Sequence, residues 1–82
     1  MAKRIVPDLP DDVVAKLKEI GLKIKEKRKL LEPNYQVFAD KKGLNSMTQW
    51  RIENGENSNL ASIIEVIHAM DITLEEFFKG LK

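Results

Sequence analysis

Between Gly43 and Gly55 lies a short helical segment that carries the side chains best suited to a chemical role. If Gln49 and Ile52 face inward, the helical period turns five side chains outward together: Ser46, Met47, Trp50, Arg51 and Asn54. The guanidinium fork of an arginine fits O6 and N7 of guanine, which is worth about 1–3 kcal/mol of discrimination between bases. A methionine can touch a thymine methyl group. The chemistry that this face favours is therefore the recognition of nucleic-acid bases.

Each of these side chains also has an ordinary structural interpretation. Arg51 could be a surface arginine paired with Glu53 or Glu56. Met47 could fill the core, and Ser46 could be a second helix cap.

Trp50 is the only tryptophan, and three interpretations of it stay open. It could meet sugars or thymine methyls in a DNA groove, pack inward over Gln49, or lie in a dimer interface. A buried indole N–H usually needs a hydrogen-bond partner, and a phosphate oxygen would serve.

The sequence contains no arrangement typical of catalysis or of a metal site. Cysteine is absent, and the single histidine, His68, has no second ligand at metal spacing. There is no serine–histidine–aspartate set and no glycine-rich phosphate loop. The acidic pairs at 11–12 and 75–76 begin predicted helices, where the helix dipole accounts for them. We predict a protein that is not an enzyme and holds no cofactor and no metal.

The length of 82 residues predicts one domain. A domain of this size buries only about 60–65% of its unfolded surface, which leaves no room for a deep catalytic pocket. Small secreted domains usually need disulfides, so the lack of cysteine favours a cytoplasmic protein. Because no run approaches about 20 apolar residues, we expect no membrane partner.

The net charge of +1 hides a strong asymmetry along the chain. Residues 16–51 contain ten Lys and Arg against four acidic residues, a net charge of +6. Residues 52–82 contain two lysines against six acidic residues, a net charge of −4. A basic middle before an acidic tail favours one face for a polyanion, although a solvated surface would explain a lysine-rich helix alone.

Apolar residues in steps of three and four predict a helical domain at 11–82, preceded by an arm at 1–10. A first helix begins near Asp11 and is ended by Pro33. Its predicted apolar face consists of Val13, Val14, Leu17, Ile20, Ile24 and Leu31, with Leu30 beside the last. Lysines take the predicted opposite face, and Gly21 is expected to interrupt the helix by a kink or by looser packing.

Two short helices follow, and a turn containing Gly43 joins them. Asn34 is predicted to cap the second helix, 35–42, and Asn45 to cap the third, 46–54. Two helices joined by such a short turn are the outline of a helix-turn-helix.

The remaining helices are predicted from one apolar run and one capping signal. A fourth helix covers 60–70, with a buried face of Leu60, Ile63, Ile64, Ile67 and Met70. Thr73 and Glu76 form a capping box that opens a last helix. Since no strand alternation appears, the sequence predicts a compact all-α bundle of five helices.

Residues 22–78 resemble the phage-repressor/Cro-like, or xenobiotic-response-element type, helix-turn-helix domains. The matching pieces, in order, are I-K-E-K-R at 24–28, F-A at 38–39, G-L-N at 43–45, R-I-E-N-G at 51–55, the helix at 60–70, and D-I-T-L-E-E-F-F at 71–78. No piece is specific alone, but their order and spacing are. The resemblance implies a lambda-repressor-like five-helix fold and a homodimer that binds double-stranded DNA at a near-palindromic site.

The resemblance also implies roles for individual residues. Base contacts would come from Ser46, Met47 and Arg51, and Trp50 joins this candidate set. Candidates for phosphate contacts, which give salt-dependent affinity without sequence information, are Lys27, Asn34, Tyr35, Lys41, Lys42, Thr48 and Asn54.

Two further pairs have structural roles in this comparison. Arg28 and Glu53 match positions that often form a buried ion pair between the first helix and the end of the third. Phe77 and Phe78 lie at the end through which the family often dimerises, and both cannot enter one core. We expect one to pack under the fourth helix and the other to be exposed, and we take both as candidate dimer contacts.

The chain departs from the family pattern at two positions. Lys42 and Gln49 stand where the family usually has apolar, core-facing residues, and Trp50 could fold back over the gap at Gln49.

The favoured function is a small dimeric transcriptional regulator, most simply a repressor. One alternative is the antitoxin of a toxin–antitoxin pair, since residues 1–21 exceed what DNA binding needs and could hold a toxin or extend the dimer. A second is a protein-interaction module that does not bind DNA.

Overall fold

The computed structural model describes residues 9–81, so the predicted arm lies almost entirely outside the described residues. The described part contains five α-helices and no strand. The helices are α1 (Asp11–Leu31), α2 (Tyr35–Lys41), α3 (Ser46–Glu53), α4 (Leu60–Ala69) and α5 (Leu74–Phe78). The all-α class and the order of the helices are confirmed, and α2, α3 and α4 each end one residue earlier than predicted. Within residues 9–81, no helix is long and apolar enough to cross a membrane.

Side-chain caps begin four of the described helices. The capping residues are Asn34, Asn45, Asn59 and Thr73. Each side-chain oxygen accepts a hydrogen bond from a backbone N–H of the first turn, which has no partner within the helix. Only the cap at Asn59 was not predicted, although an asparagine before an apolar helical run is a typical start signal.

One apolar cluster joins all five helices. Its fully or almost fully buried members are Ile24, Phe38, Ile52, Ile63, Val66, Ile67, Met70 and Phe77. Burying an apolar side chain of this size contributes about 1.5–3 kcal/mol. The cluster therefore supplies most of the packing that holds α3 against the rest of the domain.

The buried face of α4 differs from the predicted one at three positions, and Ile64, which was assigned to the core, is only half-buried. Leu60 was assigned to the core but is 66% exposed, whereas Val66 was omitted and is 2% exposed. Leu60 is the first residue of α4, and this turn extends beyond the edge of the core.

The predicted apolar face of α1 is wrong at its C-terminal end. Leu30 and Leu31 are 87% and 58% exposed, whereas Arg28 is 3% exposed. The Arg28 guanidinium takes the interior side of this last turn and donates hydrogen bonds to the carbonyl oxygens of Glu32 and Pro33. A charged side chain with buried partners thus stands where a leucine was expected.

Gly21 does not interrupt α1, which is continuous from Asp11 to Leu31. The missing side chain lets α1 approach the C-terminal end of α3. A methyl group added at Gly21 would overlap the carbonyl oxygen of Ile52 and lie 3.0 Å from that of Glu53. The glycine therefore serves close packing of two helices rather than a kink.

Several lysines of α1 flank its buried face instead of lying opposite to it, whereas Lys18 and Lys29 are exposed. Lys23, Lys25 and Lys27 are all half-buried. The Lys23 ammonium group donates a hydrogen bond to the Phe77 carbonyl oxygen and lies 5.0 Å from the centre of the Phe77 ring. Lysine stems can cover apolar surface in this way while the charged group reaches the edge.

The two phenylalanines of α5 divide between core and surface, as predicted. Phe77 is 0% exposed and Phe78 is 38% exposed. Their rings meet edge to face, with centroids 5.0 Å apart. The prediction of Phe77 as a dimer contact is therefore wrong, because no part of it is accessible. Phe78 stays a candidate.

Candidate nucleic-acid interface

The connection 42–45 fixes the orientation of α3 relative to α2. Gly43 has a φ of +69°, a left-handed conformation that glycine adopts without strain. The Leu44 backbone N–H donates to the Ala39 carbonyl oxygen at 2.7 Å. The Leu44 side chain packs against the core. These contacts stabilise the turn, and Asn45 then caps α3.

α3 has one buried side and one open side. Gln49, Ile52 and Glu53 are buried. Met47 and Trp50 are 56% and 39% exposed, and the side chain of Arg51 is 57% exposed. The predicted phase, with Gln49 and Ile52 inward, is confirmed. Three candidate base-contact side chains are thereby exposed on the same short helix.

Gln49 itself fills the interior position that the family pattern gives to an apolar residue. It is 0% exposed, and its Nε2 donates to Glu53 Oε2 at 2.6 Å. Its Oε1 has no hydrogen-bond partner among the described residues. Gln49 therefore occupies this position with its own side chain, and Trp50 beside it is 39% exposed.

The same carboxylate accepts two hydrogen bonds from Arg28. The Nε–Oε2 distance is 2.8 Å and the Nη2–Oε1 distance is 2.6 Å. Both side chains are 3% exposed. Since Arg28 Nη1 also binds the carbonyl oxygens of Glu32 and Pro33, at 3.0 and 2.7 Å, one guanidinium links the end of α1, the start of α2 and the end of α3. The ion pair that the resemblance implied is present.

Ser46 lies in a groove between α2 and α3. The half-buried serine shares this groove with Gln36, Val37, Asp40 and Leu44. Gln36 and Asp40 were missed as candidate site residues, although their spacing of four on α2 would place them on one face. Asp40 is exposed and brings a negative charge to the groove, which a polyanion would avoid.

Arg51 has one weak partner on the surface. Its Nε lies 3.9 Å from Oε1 of Glu56, and both side chains are half or more exposed. Glu53, the other proposed partner, forms its ion pair with Arg28. An exposed pair of this kind is worth about 0–1 kcal/mol, so Arg51 can exchange it for another ligand at low cost.

Thr48 and Arg51 line a shallow polar depression together with four residues that were not predicted. These are Asn57, Ser58, Asn59 and Ser62. The segment before α4 was taken only as a connection, although its run of asparagine and serine beside a basic helix is a usable signal. The depression offers several hydrogen-bonding groups next to one guanidinium.

Several phosphate candidates already have partners within the chain. Asn34 Oδ1 accepts from the backbone N–H groups of Gln36 and Val37, at 2.8 and 3.1 Å. Asn54 Nδ2 donates to the Trp50 carbonyl oxygen at 2.8 Å. Both asparagines therefore act first as helix-end groups.

The other phosphate candidates differ in exposure. Lys41 and Lys42 are exposed, and the Lys41 Nζ lies 3.5 Å from Oε1 of Glu32. Tyr35, Thr48 and Lys27 are half-buried, with Lys27 on α1. In the described part of the chain, no group of three potential ligands is placed to hold a metal ion.

Comparisons with protein-family models, with curated proteins and with solved structures found no match to this chain.

Proposed function

We propose that the protein is a dimeric, sequence-specific DNA-binding regulator, most simply a transcriptional repressor. In this proposal α2, the connection 42–45 and α3 form a helix-turn-helix of the lambda-repressor-like kind, and α3 enters the major groove of double-stranded DNA. The observation that carries the proposal is the division of α3. Its inward side is held by Gln49, Ile52 and Glu53, while Met47, Trp50 and Arg51 are exposed.

The electrostatics of this region support the proposal. Inside, Arg28 and Glu53 neutralise each other, so their charges do not act on the surface. Outside, the ion pairs that Arg51 and Lys41 form with described residues are long, at 3.9 and 3.5 Å, and the side chains of both cations are more than half exposed. Such pairs contribute about 0–1 kcal/mol, so both cations can turn to phosphates or bases.

Two copies would read two half-sites about one helical turn apart, ~34 Å. The regulator would act by occupying its operator and excluding polymerase. Base-edge contacts from α3 would select the operator, and phosphate contacts from the exposed lysines would set orientation and salt dependence.

Titration with mixed-sequence duplex DNA at low salt tests this function. We expect the anisotropy of labelled DNA to rise on binding and the affinity to fall steeply with added salt, because bound cations displace counterions from DNA. The emission of Trp50, the only tryptophan, should change in parallel. Binding seen by anisotropy without a change in the Trp50 emission would support the proposed function but would show that Trp50 is not at the DNA interface. If neither the anisotropy of labelled DNA nor the emission of Trp50 changes, the protein-interaction module without DNA binding is favoured.

A further inference from the structure

The first two turns of α1 carry an apolar face that lies outside the core. From α1 the core takes Ile24, with Ile20 packed against it, but neither Val13 nor Leu17. Val13 is 39% exposed, and Leu17 is half-buried. Apolar residues kept in helical phase outside the core favour a partner that covers them.

A shallow depression marks this face, which we call the N-terminal face of α1. It is lined by Asp12, Val13, Lys16 and Leu17. Two apolar side chains thus have one acidic and one basic neighbour. Asp12 and Lys16 are four residues apart and share one side of the helix.

The order of these charges fits a second copy of the same helix. In an antiparallel pair about a twofold axis near residue 14, Asp12 of each copy lies opposite Lys16 of the other. A parallel pair would instead place like charges together. Within the chain, Lys16 Nζ lies 2.9 Å from Glu19 Oε1, and the two side chains are 42% and 40% exposed.

We propose that the N-terminal face of α1 is the contact between two copies of this chain. The two helices pair antiparallel, with Val13 and Leu17 of both copies in the seam and two Asp12–Lys16 contacts beside it. Such an interface is isologous, since both copies use the same patch. The proposal rests on the homodimer in the proposed function, but it does not require that the dimer bind DNA.

The contact is small, and this sets the expected affinity. Standard protein interfaces bury about 1,600 Å² in total, more than two helical turns can supply. We therefore expect a dissociation constant in the micromolar range, measurable by sedimentation equilibrium of the full chain.

Charge reversal gives the decisive test. Asp12→Lys or Lys16→Glu alone places like charges opposite each other twice per dimer, and each should weaken dimerisation at least about tenfold. The double variant Asp12→Lys/Lys16→Glu restores both pairs with reversed polarity and should return the dissociation constant to within about threefold of the parent. Helix content by circular dichroism accompanies every variant.

Two matched variants separate this contact from others. Leu30→Ser changes an 87% exposed residue near the other end of α1 and should leave dimerisation unchanged. Phe78→Ser tests α5, since Phe78 is another candidate for a dimer contact. If Phe78→Ser dissociates the dimer while the single charge reversals do not, the contact is at α5 and our proposal is wrong.

Three other outcomes would also overturn the inference. They are a parent chain that stays monomeric at every attainable concentration, single reversals without effect, and a double variant that stays as weak as the singles. DNA binding, measured separately by anisotropy, distinguishes the two proposals. A monomer that binds DNA contradicts this inference and the dimeric part of the proposed function but leaves DNA binding itself standing, whereas a charge-dependent dimer without DNA affinity contradicts only the proposed function.

Discussion

Arg28 and Glu53 form a bidentate ion pair inside the domain, with Nε–Oε2 and Nη2–Oε1 distances of 2.8 and 2.6 Å. The two residues are 25 positions apart and belong to α1 and α3. Because Arg28 also binds two carbonyl oxygens of the chain leading into α2, the pair holds three elements in one arrangement. The orientation of the exposed side of α3 thus depends on polar contacts as well as on the apolar core.

We predict that Arg28→Ala and Glu53→Ala each lower the free energy of unfolding by about 3–5 kcal/mol, because the remaining charge stays buried without its partner. Urea unfolding at neutral pH measures this. Replacing both residues with apolar ones, Arg28→Met with Glu53→Leu, should cost clearly less than either single change. As a surface control, Glu19→Ala removes an exposed pair with Lys16 and should cost at most about 1 kcal/mol. Single variants as stable as the parent would contradict the buried pair.

Gly21→Ala should destabilise the protein even though alanine is the better helix former. The added methyl group would overlap the Ile52 carbonyl oxygen, so α1 and α3 must move apart. We expect a net loss of about 1–3 kcal/mol, as for other overpacked interiors. Leu22→Ala, at the next position and 55% exposed, should stay within about 0.5 kcal/mol in the same thermal or urea unfolding. A stabilised Gly21→Ala variant would show that the two helices are not in close contact.

Gln49 allows a test of how the interior tolerates polarity. Gln49→Leu keeps similar volume and removes both an oxygen that has no partner among the described residues and the Nε2 donor to the Glu53 carboxylate, so we expect a loss of no more than about 1.5–3 kcal/mol. Gln49→Glu places a second carboxylate beside Glu53 and should cost about 3–5 kcal/mol at neutral pH. A large loss in Gln49→Leu would reveal that the glutamine has a buried partner, such as a water molecule.

Arg51 and Lys42 should differ in the kind of binding they support. Arg51→Ala is expected to weaken binding to a selected operator by about 1–3 kcal/mol and to weaken mixed-sequence binding less, because it removes a base contact. Lys42→Ala should weaken both alike and reduce the salt slope by about one. Anisotropy titrations with both duplexes, at several salt concentrations, measure the difference. Equal losses in Arg51→Ala would reassign Arg51 to a phosphate.

Where the helices lie could be predicted because the signals are local. The caps at Asn34, Asn45 and Thr73 act within three residues of their partners. Pro33 and Gly43 likewise break the helices beside them. The outward set on α3 followed from one assumption about Gln49 and Ile52, which the burial of both residues confirms. The groups around Asp40 and Asn57 were missed, because a surface shared by separate elements leaves no periodic signal in either.

By itself, the sequence determined the all-α class, the five helices and their order, and it placed the ends of α2, α3 and α4 within one residue. Only the tertiary structure decided which apolar residues are buried, since that depends on where each helix extends beyond its neighbours. Leu30 and Leu60 fit a helical period yet lie on the surface, whereas Arg28 is buried. Only contacts with α3 gave Gly21 its role. These outcomes depend on contacts between residues that are distant in the chain. Local sequence patterns cannot predict such contacts.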